Sequence, residues 1–372
     1  MRHTVNSSNT AGNAVADTEA KTTVAVLYGG RSTEHNISCI SAGAVMGHLD
    51  PQRFSVVPVG ITRSGKWVAG TTDLEVLKAH GDHLPEVIGG DEVALSLNPG
   101  HRGEFRFADG SLYATADVIF PVLHGPFGED GTIQGLFEIA GVPYVGAGVL
   151  ASAGGMDKEF TKSVLAHAGL RVSRGVEVKA GEELSEEQKD RLGLPVFVKP
   201  ARGGSSIGVS RVTEWAGLED ALRIAFEDDS KVLVEAETIG DEVEVGVLER
   251  PDGTVVASVP ALLVGTGDAE GGFYDFDAKY LDDVVTAQIP APFSEELTAE
   301  LKEMAITVFR ALEGSGLMRV DFFVTESGPV VNEVNTMPGF TPISMYPQVF
   351  QAAGIGYSEL LSTLIETALE HH

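Results

Sequence analysis

The chain of 372 residues contains one cysteine, Cys39, and few basic residues. A single cysteine excludes an intramolecular disulfide bond and any zinc site built from several cysteines. Lysine and arginine together number 26 against 54 aspartates and glutamates, and the formal net charge is −28. Nucleic acids and anionic membranes attract clustered basic side chains, so this balance argues against both as partners. An anionic nucleotide remains possible if a few lysines lie together in a cleft.

The sequence also lacks an apolar run long enough to span a membrane, and its beginning lacks the charged-then-apolar order of a secretory signal. These features favour a cytoplasmic protein. Residues 1–22 are rich in Ser, Asn, Thr and Ala and have no hydrophobic period, so we predict a mobile tail there. A chain of this length and 43% hydrophobic content can form two or three domains with sizeable cores.

Strand and helix patterns alternate in the first part of the chain, which is typical of an open parallel sheet. The glycine-rich residues 142–155 then predict a joint between domains. The predicted elements of the first part are strands at 23–30, 54–61 and 117–125 and helices at 37–49 and 131–141. Those that follow are helices at 156–169, 214–227, 294–312 and 358–370, the last capped by Ser358, strands at 195–201 and 231–237, and loops at 202–210 and 265–280.

The stretch "RVDFFVTESGPVVNEVN" predicts a β-hairpin that gathers polar side chains on one face. With residues 326–328 as a three-residue loop, Asp321 faces Glu333 and Arg319 faces Asn335. Side chains alternate along a strand, so these four project from the same face. The opposite, apolar face then carries Val320, Phe322, Val324, Val330 and Val334.

Opposed carboxylates on paired strands repel each other unless a cation lies between them. Carboxylate and amide oxygens are hard ligands, which suit Mg²⁺ held jointly with phosphate oxygens. The hairpin therefore predicts a magnesium site. The alternative is a solvated sheet face that carries two acids by chance.

Other candidate residues lie in loops or at the ends of predicted elements. Lys199 ends an apolar strand, and the backbone N–H groups of residues 203–206 can surround phosphate oxygens. The alternative is a merely flexible loop, since the order typical of a P-loop is missing. Lys158 is otherwise a solvated helix residue, His124 a structural histidine, and Glu34 an acid placed at a helix start.

Seven motifs occur in the order found in the D-alanine–D-alanine ligases, which are members of the ATP-grasp superfamily. The resemblance spans residues 23–366 and implies a three-domain α/β ATP-grasp fold with an N-terminal open parallel sheet domain. The motifs are "GGRSTEHNIS", "HGPFGEDGTIQG", "MDKEFTK", "VKPARGGSSIGVS", "FYDFDAKY", "MRVDFF" and "NEVNTMPGFTPIS". The expected divisions are a mobile tail (1–22), an N-terminal α/β domain (23–147), a central ATP-grasp lobe (148–237) and a C-terminal lobe with the metal and substrate sites (238–372).

The resemblance implies that ATP drives the ligation of two D-alanine molecules to D-alanyl-D-alanine, through an acyl phosphate and with release of ADP. This reaction serves peptidoglycan precursor synthesis. The implied partners are D-alanine and ATP, with no nucleic acid and no membrane, and the implied state is a cytoplasmic homodimer. Two Mg²⁺ ions are expected, for which Mn²⁺ can substitute, and dependence on a monovalent cation stays open.

The resemblance also assigns roles to individual residues. The implied metal ligands are Asp321, Glu333 and Asn335. The implied nucleotide-binding residues are Lys158, Lys199, Ser206, Glu235, Glu242 and Lys279. The implied catalytic residues are Glu34, Ser205, Tyr280 and Arg319, and the implied substrate-binding residues are His124, Gly339, Ser344 and Met345.

The sequence departs from the family pattern in two places. Many relatives carry a lysine directly after the acid at Glu235, whereas this chain has Ala236, so we expect backbone groups to contact the adenine edge. The loop at 265–273 is unusually glycine-rich and acidic. Two rival functions stay open: a non-catalytic ATP-binding regulator would be expected to lose metal ligands, and a depsipeptide-forming relative would lack Tyr280.

Overall fold

A computed structural model describes residues 20–81, 83–204, 206–265 and 286–371. The predicted tail lies outside these ranges as far as residue 19, and the first strand begins at Thr22. The predicted loop at 265–280 lies outside them from residue 266 onward. No helix in the described part of the chain is both long and apolar enough to cross a membrane.

The N-terminal part contains the predicted parallel sheet. Strand β1 pairs in parallel with β2 and β7, and β3 closes one edge in antiparallel orientation, in the order β3-β2-β1-β7. A separate antiparallel sheet of β4, β5 and β6, which the patterns did not predict, lies beside it. The elements are β1 (Thr22–Gly29), α1 (His35–His48), β2 (Phe54–Ile61), β3 (Trp67–Ala69), β4 (Val93–Leu95), β5 (Glu104–Phe107), β6 (Leu112–Thr115), β7 (Val118–Val122) and α2 (Thr132–Ala140).

The end of β1 shows why glycine is needed before the first helix. Gly29 has a φ of +91°, and a Cβ built there would lie 2.3 Å from the carbonyl oxygen of Ile61. Its N–H donates to Ser38 Oγ of α1 at 2.8 Å. The Gly-Gly turn therefore sets the short connection between β1 and α1, which places Glu34 at the edge of the sheet.

The predicted joint at 142–155 contains a helix, α3 (Val149–Met156), which the sequence patterns did not predict. Its small residues allow close packing, since a Cβ on Gly155 would lie 2.8 Å from Thr336 Cγ2. Helix α4 (Lys158–His167) follows, and the Asp157 carboxylate caps it by accepting from the Phe160 N–H at 3.1 Å.

The central part is an antiparallel sheet in the order β10-β9-β11-β8, covered by helix α6. The apolar face of α6 packs Leu218, Ala221 and Ala225 on buried valines of the sheet. This packing fixes β9 and β11 side by side. The elements are β8 (Gly175–Lys179), α5 (Glu186–Leu192), β9 (Val196–Pro200), β10 (Ser210–Val212), α6 (Leu218–Asp228) and β11 (Lys231–Ala236).

The C-terminal part is a six-stranded antiparallel sheet in the order β15-β14-β12-β16-β17, with β13 paired to β12. Helix α7 packs on one face, and α8 and α9 connect the other face with α1 and the first sheet through one apolar core. Helix α9 begins at Tyr357, so Ser358 lies inside it and does not cap it. The elements are β12 (Asp241–Glu249), β13 (Val255–Ala257), β14 (Ala261–Val264), β15 (Thr286–Gln288), α7 (Glu295–Ala311), β16 (Leu317–Thr325), β17 (Gly328–Asn335), α8 (Met345–Ala352) and α9 (Tyr357–His371).

Candidate active site

The hairpin of β16 and β17 pairs its polar residues as predicted. Arg319 lies opposite Asn335, and Asp321 lies opposite Glu333. The Asp321 carboxylate accepts from Arg319 Nε and Nη2, each at 2.7 Å, and from Asn335 Nδ2 at 3.1 Å. One strand pair thus brings two acids, an amide and a guanidinium together.

The loop of this hairpin differs from the prediction. Thr325 pairs with Gly328, so the loop has two residues, and the register shifts between Asp321 and Phe322 at a β-bulge. The bulge places one extra residue on β17. This residue compensates for the shorter loop, so the polar residues still pair as predicted. The bulge also exchanges the apolar positions, because Val331 is 1% exposed in the core whereas Val330, the predicted core residue, is only half-buried.

A third acid, Glu244, lies beside this pair and was missed from the sequence. It is opposite Asp321 on the neighbouring strand β12 and is buried. Glu244 Oε2 lies 3.1 Å from Arg319 Nε, so the guanidinium lies between two carboxylates. The alternation of β12 could have revealed it, since Glu244 shares a face with Glu242.

Lys158, the first residue of α4, connects the central and C-terminal parts. Its Nζ donates to the Gly203 carbonyl oxygen at 2.6 Å and lies 3.7 Å from Glu333 Oε2. Its backbone N–H donates to the Ala201 carbonyl oxygen at 2.9 Å. The start of α4 therefore holds the glycine-rich loop close to the hairpin.

Lys199 lies on β9 and forms an ion pair with Glu235 on β11. Lys162, one turn after Lys158 on α4, contacts the other carboxylate oxygen of Glu235 and was also missed from the sequence. Burial, and then repulsion from Lys158, lowers the pKa of Lys199 to about 8. Burial and the ammonium of Lys199 also lower the pKa of Lys162, and the Glu333 carboxylate opposes both shifts.

A cavity of about 450 Å³, here called the larger cavity, lies between the central and C-terminal sheets. Its polar wall gathers most of the residues predicted for nucleotide and metal, and Phe197, Ile239 and Leu263 contribute apolar surface. A flat apolar slot beside basic residues suits a nucleotide base with its phosphates. The predicted residues that line it are Lys158, Lys199, Ser206, Glu235, Glu242, Asp321 and Glu333.

A smaller cavity of about 70 Å³ adjoins the first and draws on all three parts of the chain. Lys158, Gly203, Gly204 and Glu333 line both cavities, so the two share a wall. A small polar molecule bound in one would therefore lie against the other. The predicted residues that line the smaller cavity are Glu34, His124, Lys158, Arg319, Glu333, Asn335 and Gly339.

His124 is buried and fixed by its neighbours. Its Nδ1 lies 3.1 Å from the Met337 carbonyl oxygen and its Nε2 lies 3.4 Å from Ser41 Oγ. Because a carbonyl oxygen only accepts, the proton is on Nδ1 in this arrangement. The ring thus ties the loop after β7 to the loop after β17.

Two acids face each other in the smaller cavity. Glu34 precedes α1 without capping it, which argues against a purely helix-capping role. Glu129, which the sequence reading did not single out, accepts from the Gly125 N–H at 2.9 Å. Burial, and then repulsion from the Glu34 carboxylate, raises the pKa of Glu129 to about 8. The only sequence signal was its position in the same "GEDG" loop as His124.

Some predicted residues are not brought to either cavity. Ser344 and Met345 lie at the start of α8, and Ser344 Oγ accepts from the Thr341 N–H at 2.9 Å. Neither residue lines a cavity. Ser205, Lys279 and Tyr280 lie outside the described residues.

The donor set at the shared wall fits a magnesium site. In the described ranges no group of three or more His, Cys, Asp or Glu side chains is arranged to hold a metal ion. The candidate set here is two carboxylates and an amide, with Asp321 lining the larger cavity, Asn335 the smaller one and Glu333 both. Mg²⁺ favours sites with few protein ligands, in which phosphate oxygens and water complete the coordination.

Both halves of the chain match models of one family. Residues 23–147 match the model described as "D-ala D-ala ligase N-terminus", and residues 164–366 match "D-ala D-ala ligase C-terminus". The chain belongs to the D-alanine–D-alanine ligase family. The resemblance noted in the sequence is thereby confirmed.

Curated relatives within this ligase family cover almost the whole chain. A D-alanine–D-alanine ligase from Corynebacterium diphtheriae is 64% identical over 346 residues, which are 93% of this chain and 95% of the relative. One from Corynebacterium efficiens is 61% identical over 350 residues, 94% of this chain and 97% of the relative.

Solved ligase structures share the fold. VanG D-Ala:D-Ser ligase from Enterococcus faecalis has a TM-score of 0.82 at 36% identity, covering 94% of this chain and 100% of its own. The D-alanine–D-alanine ligase of Coxiella burnetii has a TM-score of 0.80 at 32% identity, covering 95% of both chains. A D-alanine–D-alanine ligase from Bacillus anthracis, solved with ATP, has a TM-score of 0.70 at 27% identity and covers 94% of this chain and 98% of its own. The ATP-grasp fold is confirmed.

Proposed function

We propose that the protein uses ATP to join two D-alanine molecules into D-alanyl-D-alanine, releasing ADP and phosphate, for peptidoglycan precursor synthesis. One observation carries this proposal: the larger, base-sized cavity shares a wall with a small polar cavity. A phosphoryl group at that wall would be within reach of both ATP and a small carboxylate. Such proximity is what phosphoryl transfer requires.

ATP is assigned to the larger cavity. Lys158 and Lys199 bind its phosphates, Glu242 its ribose hydroxyls, and Ser206 with the neighbouring backbone the phosphate oxygens. Glu235 and the strand end after it contact the adenine edge. Lys279 is assigned to the γ-phosphate by family resemblance.

The metal ligands are assigned to Asp321, Glu333 and Asn335. These residues would hold two Mg²⁺ ions, or Mn²⁺ in their place, which would supply positive charge to neutralise the ATP phosphates. Before nucleotide binds, two cations neutralise these acids. Arg319 Nη2 lies 2.7 Å from Asp321 Oδ2, and Lys158 Nζ lies 3.7 Å from Glu333 Oε2. The same two cations are then positioned beside the transferred phosphoryl group.

The first D-alanine is assigned to the smaller cavity. Glu34 pairs with its ammonium group, and His124 helps to hold that end. Its carboxylate oxygen attacks the γ-phosphorus of ATP, the bond to ADP breaks, and an acyl phosphate forms. Arg319 and the Gly339 N–H stabilise the charge that gathers there.

The second D-alanine attacks the acyl carbon through its neutral amine. The C–N bond forms, the amine loses a proton, and inorganic phosphate leaves. We assign its carboxylate to Ser344 and the Met345 backbone at the start of α8, and closure of the site to Ser205 and Tyr280 with Glu34. The assignments of Ser344 and Met345 require the start of α8 to face the substrate when the site is filled.

Further assignments rest on family resemblance. They are a cytoplasmic homodimer, the domain limits 23–147, 148–237 and 238–372 after a mobile tail at 1–22, and a monovalent cation as an optional activator. Gel filtration with light scattering tests the dimer. Turnover in potassium, sodium and choline salts tests the cation.

The function is tested by ADP release from purified protein with Mg²⁺ and a panel of D- and L-amino acids. We expect ADP release with D-alanine and a product with the mass of D-alanyl-D-alanine. ADP release that needs no amino acid, or a dipeptide from L-alanine alone, would contradict the proposal.

A further inference from the structure

One carboxylate in the larger cavity has two ammonium partners. Glu235, whose side chain is 5% exposed, contacts both Lys162 and Lys199, whose side chains are 8% and 13% exposed. The three groups come from α4, β9 and β11, so packing of the helix on the sheet brings them together. A buried ion pair needs only one counter-ion for each carboxylate. The second ammonium therefore calls for an explanation.

The two lysines differ in what else they can reach. Lys199 and Glu235 line the larger cavity together with Lys158 and the glycine-rich loop. Lys162 does not belong to that lining, and its ammonium lies behind Glu235, under helix α4. Lys199 can move onto an incoming phosphate, whereas Lys162 stays with the carboxylate.

If Lys199 moves to a phosphate, Glu235 must retain a cation. A buried carboxylate left without a partner is strongly unfavourable, and this would oppose nucleotide binding. We infer that Lys162 is a positioning residue that remains on Glu235 and so frees Lys199 to bind the nucleotide phosphates. This inference rests on the proposed nucleotide site.

The chain's own sequence agrees with such a role. The lysine of strand β11 itself, Lys231, forms ion pairs with Asp157 and Glu159 and is therefore engaged elsewhere. Lys162 supplies the missing charge from the helix instead. Without it, Glu235 would retain Lys199 and the phosphates would lose one of their two cations.

The test is a double-mutant cycle read by calorimetric binding of ADP with Mg²⁺ to the full-length protein. We expect Lys162→Met to weaken binding about 10-fold or more when Glu235 is present, but less than about 3-fold in a Glu235→Gln background, because the buried charge is then gone. Lys162→Arg keeps the cation and should bind ADP close to wild type. Lys78→Met, which breaks an exposed ion pair with Glu75, is the matched control.

Each result has a defined meaning. Equal effects of Lys162→Met in both backgrounds, or no effect in either, would overturn the inference. If Lys162→Met does not fold, as judged by its melting curve, weak binding by a folded Lys162→Arg would overturn it as well. Failure of the wild type to bind ADP would instead overturn the proposed nucleotide site.

Discussion

In the smaller cavity, the fold disfavours the ionised form of Glu129. Burial and the Glu34 carboxylate raise its pKa to about 8, well above the unfolded value near 4.5. The folded state therefore binds this proton more tightly than the unfolded state. The resulting stability is complete below the unfolded pKa and is lost as the pH rises through about 8.

We predict that Glu129→Gln removes this pH dependence. The unfolding free energy of the wild type, minus that of the variant, should fall by about 4 kcal/mol between about pH 5 and 9, measured by chemical denaturation. The exposed Glu359→Gln controls for the loss of an acid. A difference that stays constant with pH would show that Glu129 is already ionised in the folded protein.

Glu333 is the acid that lines both cavities, so its charge should matter for chemistry more than for folding. We predict that Glu333→Gln lowers kcat by about 100-fold or more with little change in melting temperature, because it removes a metal ligand's charge but not its volume. Glu326→Gln, in the loop of the same hairpin, is the control. Near-normal turnover at saturating Mg²⁺ would contradict the metal assignment.

At the scale of elements, the hairpin marks how far sequence reasoning reaches. The pairing of Asp321 with Glu333 was predictable because it is local and the turn is explicit. The two-residue loop and the bulge were not predictable. The loop is one residue shorter than predicted and the bulge adds one residue to β17, so the two changes cancel, and the alternation of side chains does not show where the extra residue lies.

Contacts made by packing of helices on sheets were beyond the sequence patterns. Lys162 and Glu235 are 73 positions apart, and their meeting depends on how α4 lies against β11. Helix α3, within the predicted joint, was not predicted because small residues are typical of both flexible loops and close packing. Only the positions of Gly155 and Thr336 in three dimensions decide between the two.

The glycine-rich loop at 202–210 is the element that we expect to respond to ligands. Its turn bonds are long, with Ile207 N to Gly204 O at 3.2 Å and Val209 N to Ser206 O at 3.4 Å. Phosphates would give these N–H groups stronger acceptors, and closure would keep water from the acyl phosphate.

We predict slower hydrogen exchange in this loop when ATP, Mg²⁺ and a substrate analogue bind together. The turn at 251–253, which lies away from both cavities, provides the internal control. Unchanged exchange in the fully occupied enzyme would argue against closure of the loop.

At the scale of the whole molecule, the smaller cavity exists only because three parts of the chain meet. Glu34 comes from the N-terminal part, Gly204 from the central part and Arg319 from the C-terminal part. A Cβ on Gly204 would lie 3.6 Å from Glu34 Oε2, so two of these parts already touch at the site. The overall charge of −28 does not prevent anion binding, because Lys158 and Lys199 both line the larger cavity.

This convergence leads to a prediction about the product. The second substrate must be small and must attack through a neutral nucleophile, and D-alanine, D-serine and D-lactate all meet the size requirement. D-lactate attacks without first losing an ammonium proton, whereas the two amino acids must lose one, so rising pH should favour the amines.

We predict D-alanyl-D-alanine as the main product near neutral pH, and a ratio of dipeptide to depsipeptide that increases with pH. The measurement is a competition among the three acceptors, with products separated by mass. Predominance of D-alanyl-D-serine or D-alanyl-D-lactate would retain the ATP-grasp chemistry but overturn the assigned specificity, and predominance of D-alanyl-D-lactate would also contradict the role proposed for Tyr280.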